Sequence, residues 1–473
     1  MNKLKRVFSF FIFVIILSNI FSFASAVTLS DKTTELEKDL SSEAVLIMES
    51  TTGKIIYEKN GYEKKYPAST TKILTAILAI EHCNLDETAT ASEFAINSIP
   101  SGYSTANIQI GETLSVKDLL YALMLQSANE SAVILAEHVS GSQEAFADLM
   151  NKKAKEIGCE NSHFVNPNGI HNNDHYTTAH DLALISNYAM KNSTFRDIVK
   201  TTSFTLPATS AYPSATRTYI NTNNLLIYDN RNRPDNYYYE YATGIKTGYT
   251  TEAKNCLVSS ATKNGMNFIT VVLGSSITYG NTGTISHRYV DTINAFNYAF
   301  DNFSFRKLKS SGNTIKTITI GNAKKDKQNL DLLIADDVSV LASIDNKNTN
   351  IEPEIKLKDN LSAPITKGDV VGTISYKVEG LCYTTDLLAG NDVEPAKTNK
   401  IFLYVCLIIA IFILIILSIR YYNLRKRNFS NRTKYISKNN CDSKMYNEQI
   451  ACLFYWITFH RSSVVQVQTK TAL

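Results

Sequence analysis

The sequence predicts a mixed α/β protein of the α+β kind, an antiparallel sheet with a helical insertion, followed by a small all-β domain and one transmembrane helix. Three observations predict it. Strand-like runs flank a long central stretch, at Ala44–Glu49 and Lys54–Asn60 on one side and from Ala242 to Leu273 on the other. Between them apolar residues recur at helical spacing. Far downstream, Ile401 to Ile419 carries no charged residue.

The first two runs are joined by Ser-Thr-Thr-Gly53, which suits a hairpin. From Ser69 to Cys83, Ile73, Leu74, Ile77 and Leu78 fall on one helical face; Val116 to Leu125 follows Ser115, with Asp118 three residues on as in a capping box. Further helices are expected over Glu130–Val139, stopped near Gly141, over Gln143–Ile157, stopped at Gly158, and over Thr178–Met190. Strand character returns at Ala242–Thr247, Asn255–Thr262 and Asn267–Leu273, the last two joined by the turn Lys263-Asn264-Gly265. A last helix is expected over Ser286–Phe300, so that the sheet draws on both ends of the segment and the first and last helices cover it. From Phe305 to Ala396 short strands and turns succeed one another, clearest where Gly372, Ile374, Tyr376 and Val378 alternate with Thr373, Ser375, Lys377 and Glu379.

At 473 residues the chain exceeds what one core organises, and two folded domains with accessory segments are expected. The net charge of +4 is small, and no basic stripe in the interior could follow a phosphate backbone, which argues against nucleic acid as a partner. Seven scattered cysteines form no CxxC pair, so neither a zinc site nor a disulfide framework is indicated.

The two ends speak of a membrane. Met-Asn-Lys-Leu-Lys-Arg, the apolar stretch Val7–Phe23 and Ala24-Ser25-Ala26 describe a secretory signal peptide over 1–26, with an uncleaved signal anchor as the alternative; in both cases the chain from Val27 onward is exported. The run 401–419 would span about 28 Å as a helix, close to a bilayer core. Arg420, Arg425, Lys426, Arg427, Arg432 and Lys434 come after it, so the positive-inside bias places the tail 420–473 in the cytoplasm and the residues from Val27 to about Ala396 outside. Leu453–Phe459 is an isolated apolar patch in that tail.

Chemistry concentrates in three short motifs. Ser69-Thr70-Thr71-Lys72 opens the first expected helix, where a spacing of three puts amine and hydroxyl on one face and the helix start favours developing negative charge. A serine needs a base, and a lysine serves if burial or another cation depresses its pKa. Alone the pattern is weak, because Ser260 with Lys263 and Ser304 with Lys307 match it too. Ser127-Ala128-Asn129 lies between two expected helices, where a polar turn can face a cleft. Lys246-Thr247-Gly248 lies on an expected strand: Lys246 brings a second ammonium toward Lys72, and Gly248 leaves the strand edge open to a substrate backbone.

In this order the motifs resemble the signature of penicillin-binding proteins and serine β-lactamases. Pro67-Ala68-Ser69-Thr70-Thr71-Lys72, Asn166-Pro167-Asn168-Gly169, His175-Tyr176-Thr177-Thr178-Ala179 and Thr243 to Thr250 narrow the likeness to the low-molecular-mass D-alanyl-D-alanine carboxypeptidases. It covers about Ser42 to Pro395, including Ala363-Pro364-Ile365 and Lys367-Gly368-Asp369, typical of that family's second domain. The resemblance implies the transpeptidase fold over 27–304 and a β domain over 305–396 acting as spacer. It implies Ser69 as nucleophile, Lys72 as base and Ser127 as proton shuttle, with backbone N–H groups of Ser69 and Tyr249 holding the oxyanion. Asn129, Lys246, Thr247, Gly248 and Tyr249 would bind substrate, with Arg288 added at the carboxylate. Peptidoglycan stem peptides are the implied substrate and β-lactams the implied acylating inhibitors; no cofactor is expected.

Three rivals share some of these residues. A class A β-lactamase needs a Glu-x-x-Leu-Asn deacylation segment, and none occurs between Asn129 and Lys246. A metalloenzyme would use His171, Asp174, His175 and His180, whose spacing matches no zinc signature. A non-catalytic penicillin-binding wall protein would be expected to have lost one of Ser69, Lys72, Ser127, Asn129 or Lys246, and all are present.

Overall fold

The computed structural model describes residues 30–229, 236–280, 283–346, 351–396 and 400–436. The expected signal peptide and the apolar patch Leu453–Phe459 lie outside the described residues. The chain divides into two units, one of Met1–Thr319, Asn329–Leu361 and Ile365–Asp392, the other of Ile320–Gln328, Ser362–Pro364 and Val393–Leu473.

The first unit opens with α1 (Ser30–Asp39), then β1 (Ala44–Glu49) and β2 (Ile55–Lys59). A single 3-10 turn, Ala68–Thr71, leads into α2 (Lys72–His82). A helical region comes next: β3 (Thr88–Thr90), α3 (Glu93–Asn97), β4 (Thr113–Ser115), α4 (Val116–Met124), α5 (Asn129–Ser140), α6 (Gln143–Ile157), α7 (Ala179–Ala189) and α8 (Ser193–Lys200). A small hairpin, β5 (Ser203–Leu206) with β6 (Arg217–Ile220), precedes β7 (Ala242–Thr250), β8 (Lys254–Lys263) and β9 (Met266–Ser275). After β10 (Ile277–Gly280) and β11 (Gly283–Ser286) comes α9 (His287–Asn302).

One antiparallel sheet runs in the order β2-β1-β9-β8-β7. Its inner strands are buried on both faces, because helices lie on each side. Leu46 and Met48 of β1 and Ile269, Val271 and Leu273 of β9 join a core with the helical region. Val45, Ile47, Phe268 and Val272 point the other way, into a core with α1 and α9. At roughly 1.5–3 kcal/mol for each large apolar side chain fully buried, this double-sided arrangement makes the sheet the rigid floor of the molecule. The hairpin turn falls where expected, with Asn264 and Gly265 both at positive φ. Caps also match the sequence: Ser115 Oγ accepts from Asp118 N, and Gly141 and Gly158 end α5 and α6 in the left-handed conformation.

The structure corrects several expectations. The first expected helix does not begin at Ser69, which sits in the 3-10 turn, and α2 is not a cover for the sheet. Lys72 to Ala79 are all buried, so α2 threads the middle of the helical region. The helix that does join α9 on the far face is α1, and α8 and the β5–β6 hairpin are further elements beyond the expected set. The last helix runs past the expected Phe300 to Asn302, and β12 (Phe303–Lys309) starts directly after it.

The rest of this unit is β structure. β12 pairs with β15 (Val338–Ser343), and a five-stranded antiparallel sheet runs β13-β14-β18-β17-β16 through Thr314–Thr319, Asn329–Ile334, Leu381–Ala389, Val370–Val378 and Glu354–Leu357. Ile374, Tyr376 and Val378 face inward as the alternation requires. In the second unit, Ala396 N donates to Asn322 O and Lys324 N to Glu394 O. Its helix α10 (Lys400–Ile436) continues past the expected end at Ile419, and Leu403–Lys426 is apolar and long enough to cross a membrane.

Candidate active site

Three separate segments meet at the amine of Lys72. This residue is fully buried, and its Nζ lies 3.0 Å from Ser69 Oγ, 2.8 Å from Asn129 Oδ1 and 2.5 Å from the backbone oxygen of Asn168. Burial first, and the nearby Lys246 charge second, hold its pKa well below the ordinary lysine value, against a smaller opposing pull from Glu130. The neutral amine has two hydrogens and one lone pair. In that form the carbonyl neighbours at Asn129 and Asn168, which can only accept, would take both hydrogens and leave the lone pair for the Ser69 hydroxyl; in the charged form the third hydrogen goes to Ser69 Oγ.

Each partner is fixed by its own local structure. Ser69 lies in the 3-10 turn, entered through Ala68 at a positive φ of 47° and closed by the Thr70 hydroxyl on Pro67 O at 2.7 Å. The Asn166-Pro167-Asn168-Gly169 string is a turn stitched by its own side chains: Gly169 N donates to Asn166 Oδ1 at 2.7 Å and Ile170 N to Asn168 Oδ1 at 3.1 Å. Pro167 O accepts from Thr75 Oγ1 at 2.6 Å, which docks the turn on α2. Below it His175 Nδ1 accepts from Val165 N, so the ring proton sits on Nε2 and is donated to Thr71 Oγ1 at 2.8 Å. Burial lowers the His175 pKa to about 3 and keeps the ring neutral.

The motif residues Ser69, Ser127, Asn129, Thr247 and Arg288 line one cleft of about 440 Å³, with Tyr103 and Tyr249 at its mouth. Ser127 connects α4 to α5 at a φ of 61°; among the described residues no hydrogen bond joins its hydroxyl to either lysine. Asn129 also lines the cleft. Its Oδ1 accepts from Lys72 Nζ and its Nδ2 donates to Ser104 O at 2.9 Å, so it ties the Lys72 amine to the 101–104 wall of the cleft and keeps a second N–H in reserve. Thr247 Oγ1 pairs with Thr222 Oγ1 at 2.7 Å, and Arg288 reaches Gly248 O and Tyr289 Oη, both at 3.3 Å. The buried Arg288 Nε has no hydrogen-bond partner among the described residues.

Gly248 lines the cleft and is also hemmed in from behind. A Cβ there would stand 3.0 Å from Pro67 O and 3.1 Å from Ser69 N, so the missing side chain makes room for the Ser69 turn against the edge strand β7. The sequence reading also missed the Asn168 carbonyl, Glu130 and the Thr71–His175 pair. Glu130 is buried and binds Ala106 N at 2.6 Å, with its pKa raised by burial. His171, Asp174, His175 and His180 do not converge: His180 pairs with Asp181 and stacks on Tyr62, while His171 packs on Tyr66.

Lys246 is buried too, and its amine meets one acceptor, Thr247 O at 3.2 Å. Burial and then the Arg288 charge lower its pKa to about 7. Between about 7 and the ordinary lysine range the folded chain therefore binds fewer protons than the unfolded one, and stability rises with pH across that window. Lys246→Met is expected to raise stability at pH 7 by about 2–4 kcal/mol and to flatten this rise. Urea unfolding at pH 7 and pH 9 measures both; a destabilised variant with an unchanged slope would refute the assignment.

Comparison with known proteins agrees with this arrangement. The family model described as D-alanyl-D-alanine carboxypeptidase, Peptidase_S11, matches residues 31–277, and that of the penicillin-binding protein 5 C-terminal domain matches 303–395. The chain is 33% identical over 403 residues to D-alanyl-D-alanine carboxypeptidase DacF of Bacillus subtilis, covering 84% of this chain and 95% of that one. It is 37% identical over 267 residues to a D-alanyl-D-alanine carboxypeptidase of Streptomyces, covering 54% and 85%. Penicillin binding protein 5 from Haemophilus influenzae superposes with a TM-score of 0.57 at 26% identity, over 75% of this chain and 98% of that one. Fold and relatives together define a serine peptidase of the penicillin-binding class. The chain belongs to the D-alanyl-D-alanine carboxypeptidase family, and its activity is that of a D-Ala-D-Ala carboxypeptidase.

Proposed function

We propose that Ser69 is the acyl-forming nucleophile of this carboxypeptidase and Lys72 its general base. The observation that carries this is the Lys72 amine with two carbonyl acceptors behind it and the Ser69 hydroxyl in front. Ser69 Oγ gives its proton to Lys72 and attacks the carbonyl between the two terminal D-alanines of a peptidoglycan stem peptide. The oxyanion is held by the Ser69 and Tyr249 N–H groups. The C–N bond breaks as Ser127, which lines the same cleft, passes the proton to the leaving amine; water then hydrolyses the ester. Lys246, Thr247 and Arg288 hold the substrate carboxylate, in keeping with the place of Thr247 and Arg288 in the cleft wall. β-Lactams acylate the same serine and leave slowly.

The same reading places the catalytic domain at 27–304 and the β domain, as a spacer, at 305–396. It takes residues 1–26 as the export signal and the 401–419 run as the membrane anchor, with the enzyme on the outer face and the tail 420–473 in the cytoplasm. Support comes from the positive charges after the apolar run and the exposure of its side chains from Leu403 to Ile419.

Incubation with diacetyl-Lys-D-Ala-D-Ala is expected to release D-alanine, and Ser69→Ala to abolish both this release and labelling by a fluorescent penicillin. Labelling without D-alanine release in the wild type would instead favour the non-catalytic wall protein, and rapid β-lactam turnover the β-lactamase.

A further inference from the structure

The N-terminal ends of α2 and α5 hold Lys72 and Asn129 at the cleft; the far ends of the same helices meet elsewhere. Cys83 caps α2, His138 stands in the last turn of α5, and the segment after α2 returns Glu87 to the same place. The ligating atoms of Cys83, Glu87 and His138 all lie within 4.8 Å of one another, and among the described residues they are the group of metal-binding side chains that converges.

The geometry within this group is specific. His138 Nε2 lies 3.3 Å from Glu87 Oε2. In a tetrahedral zinc site, bond lengths near 2.05 Å put a nitrogen and an oxygen ligand about 3.4 Å apart, and a thiolate about 3.6 Å from each. The imidazole–carboxylate edge thus already has the length such a site requires, and Cys83 Sγ lies within 4.8 Å of both. Glu87 is held in this pose from behind. Its other oxygen accepts from Asn84 N at 3.1 Å and from Asn84 Nδ2 at 2.7 Å, so Oε2 is the one turned toward the imidazole. Such outer contacts are what orient a ligating carboxylate. The backbone of the segment is tied as well, Leu85 O to Lys117 N and Glu87 O to Val116 N.

We propose that Cys83, Glu87 and His138 form a binding site for a divalent cation of the zinc type, with the fourth position open to water. A histidine–glutamate ion pair alone would account for two of the three groups and leave the convergence of the thiol without a role. Binding replaces the Cys83 S–H bond by an S–metal bond and releases that proton to solvent. The cation would tie together the distal ends of the two helices whose proximal ends form the catalytic hydrogen bond. Sequence spacing hides the site, since His138 is remote from Cys83 and Glu87 and no zinc signature results.

The test is a cobalt titration of the full chain in detergent after chelation. A thiolate-to-cobalt absorption band is expected in the near ultraviolet, displaced by zinc, absent in Cys83→Ser and requiring at least about tenfold more cobalt in His138→Gln. D-alanine release by both variants reports that they fold. In the wild type, zinc should also slow alkylation of Cys83 by iodoacetamide, read by mass spectrometry, which needs no variant. A wild-type band in either variant, or Cys83 alkylation indifferent to zinc, would overturn the site.

Discussion

Exchanging Lys72 for methionine is expected to lower kcat/KM for D-alanine release by about 10⁴, the upper end of what a positioned general base contributes. Methionine matches the lysine stem in length, so the backbone near α2 should hold, yet Asn129 Oδ1 and Asn168 O lose their shared donor. The variant should therefore gain none of the stability expected of Lys246→Met, whose amine meets one carbonyl. Lys72→Arg should be equally inactive, because a guanidinium does not give up its proton at working pH. Penicillin labelling kinetics distinguish a base from a mere support: labelling at the wild-type rate in either variant would remove Lys72 from the mechanism.

Gly169→Ala should be the most damaging single-methyl change in the site. The added carbon would fall 1.9 Å from Ala68 O and 2.9 Å from Thr71 Oγ1, at a backbone φ of 79° that alanine tolerates poorly. Overpacking and the left-handed strain together should cost about 2–4 kcal/mol. Relief requires the Asn166–Gly169 turn to move off the Ser69 turn, and the Asn168 carbonyl goes with it. Activity should thus fall by at least about 10² even at temperatures where the variant is fully folded, the penalty for misplacing a catalytic group. Thermal unfolding and acylation rates measured on one preparation check this; a destabilised variant that acylates normally would show that Asn168 does not tune the base.

How much of the fold and site was legible in the sequence depends on how each feature is encoded. The inner strands and α6 could be read because burial writes a pattern of apolar residues, and the Asn264-Gly265 turn because its backbone angles favour those residues. Helix α1 could not, since Leu36 and Leu40 are its buried contacts in an otherwise charged segment. The β5–β6 hairpin is held by distant partners, Phe204 stacked on Tyr121 and Arg217 paired with the buried Glu112, and such pairings leave no local trace. In the site, side-chain chemistry was visible as motifs. The Asn168 carbonyl was not, because every residue carries the same one, nor was the close approach of the Pro67–Ser69 backbone to Gly248, which depends on two segments remote in the chain.

The pairing of β1 with β9 carries a kinetic consequence. Ala44 lies opposite Leu273 and Glu49 opposite Phe268, so a strand made near the start of synthesis waits for one made long afterwards. Closing so long a loop costs only about 0.6 kcal/mol more for each doubling of its length, but folds dominated by such remote pairings assemble slowly. Any nascent chain ending before Met266 leaves the apolar β1 with only β2 for company, a two-stranded ribbon that is marginal in water. The central sheet therefore cannot close until the later part of synthesis is under way.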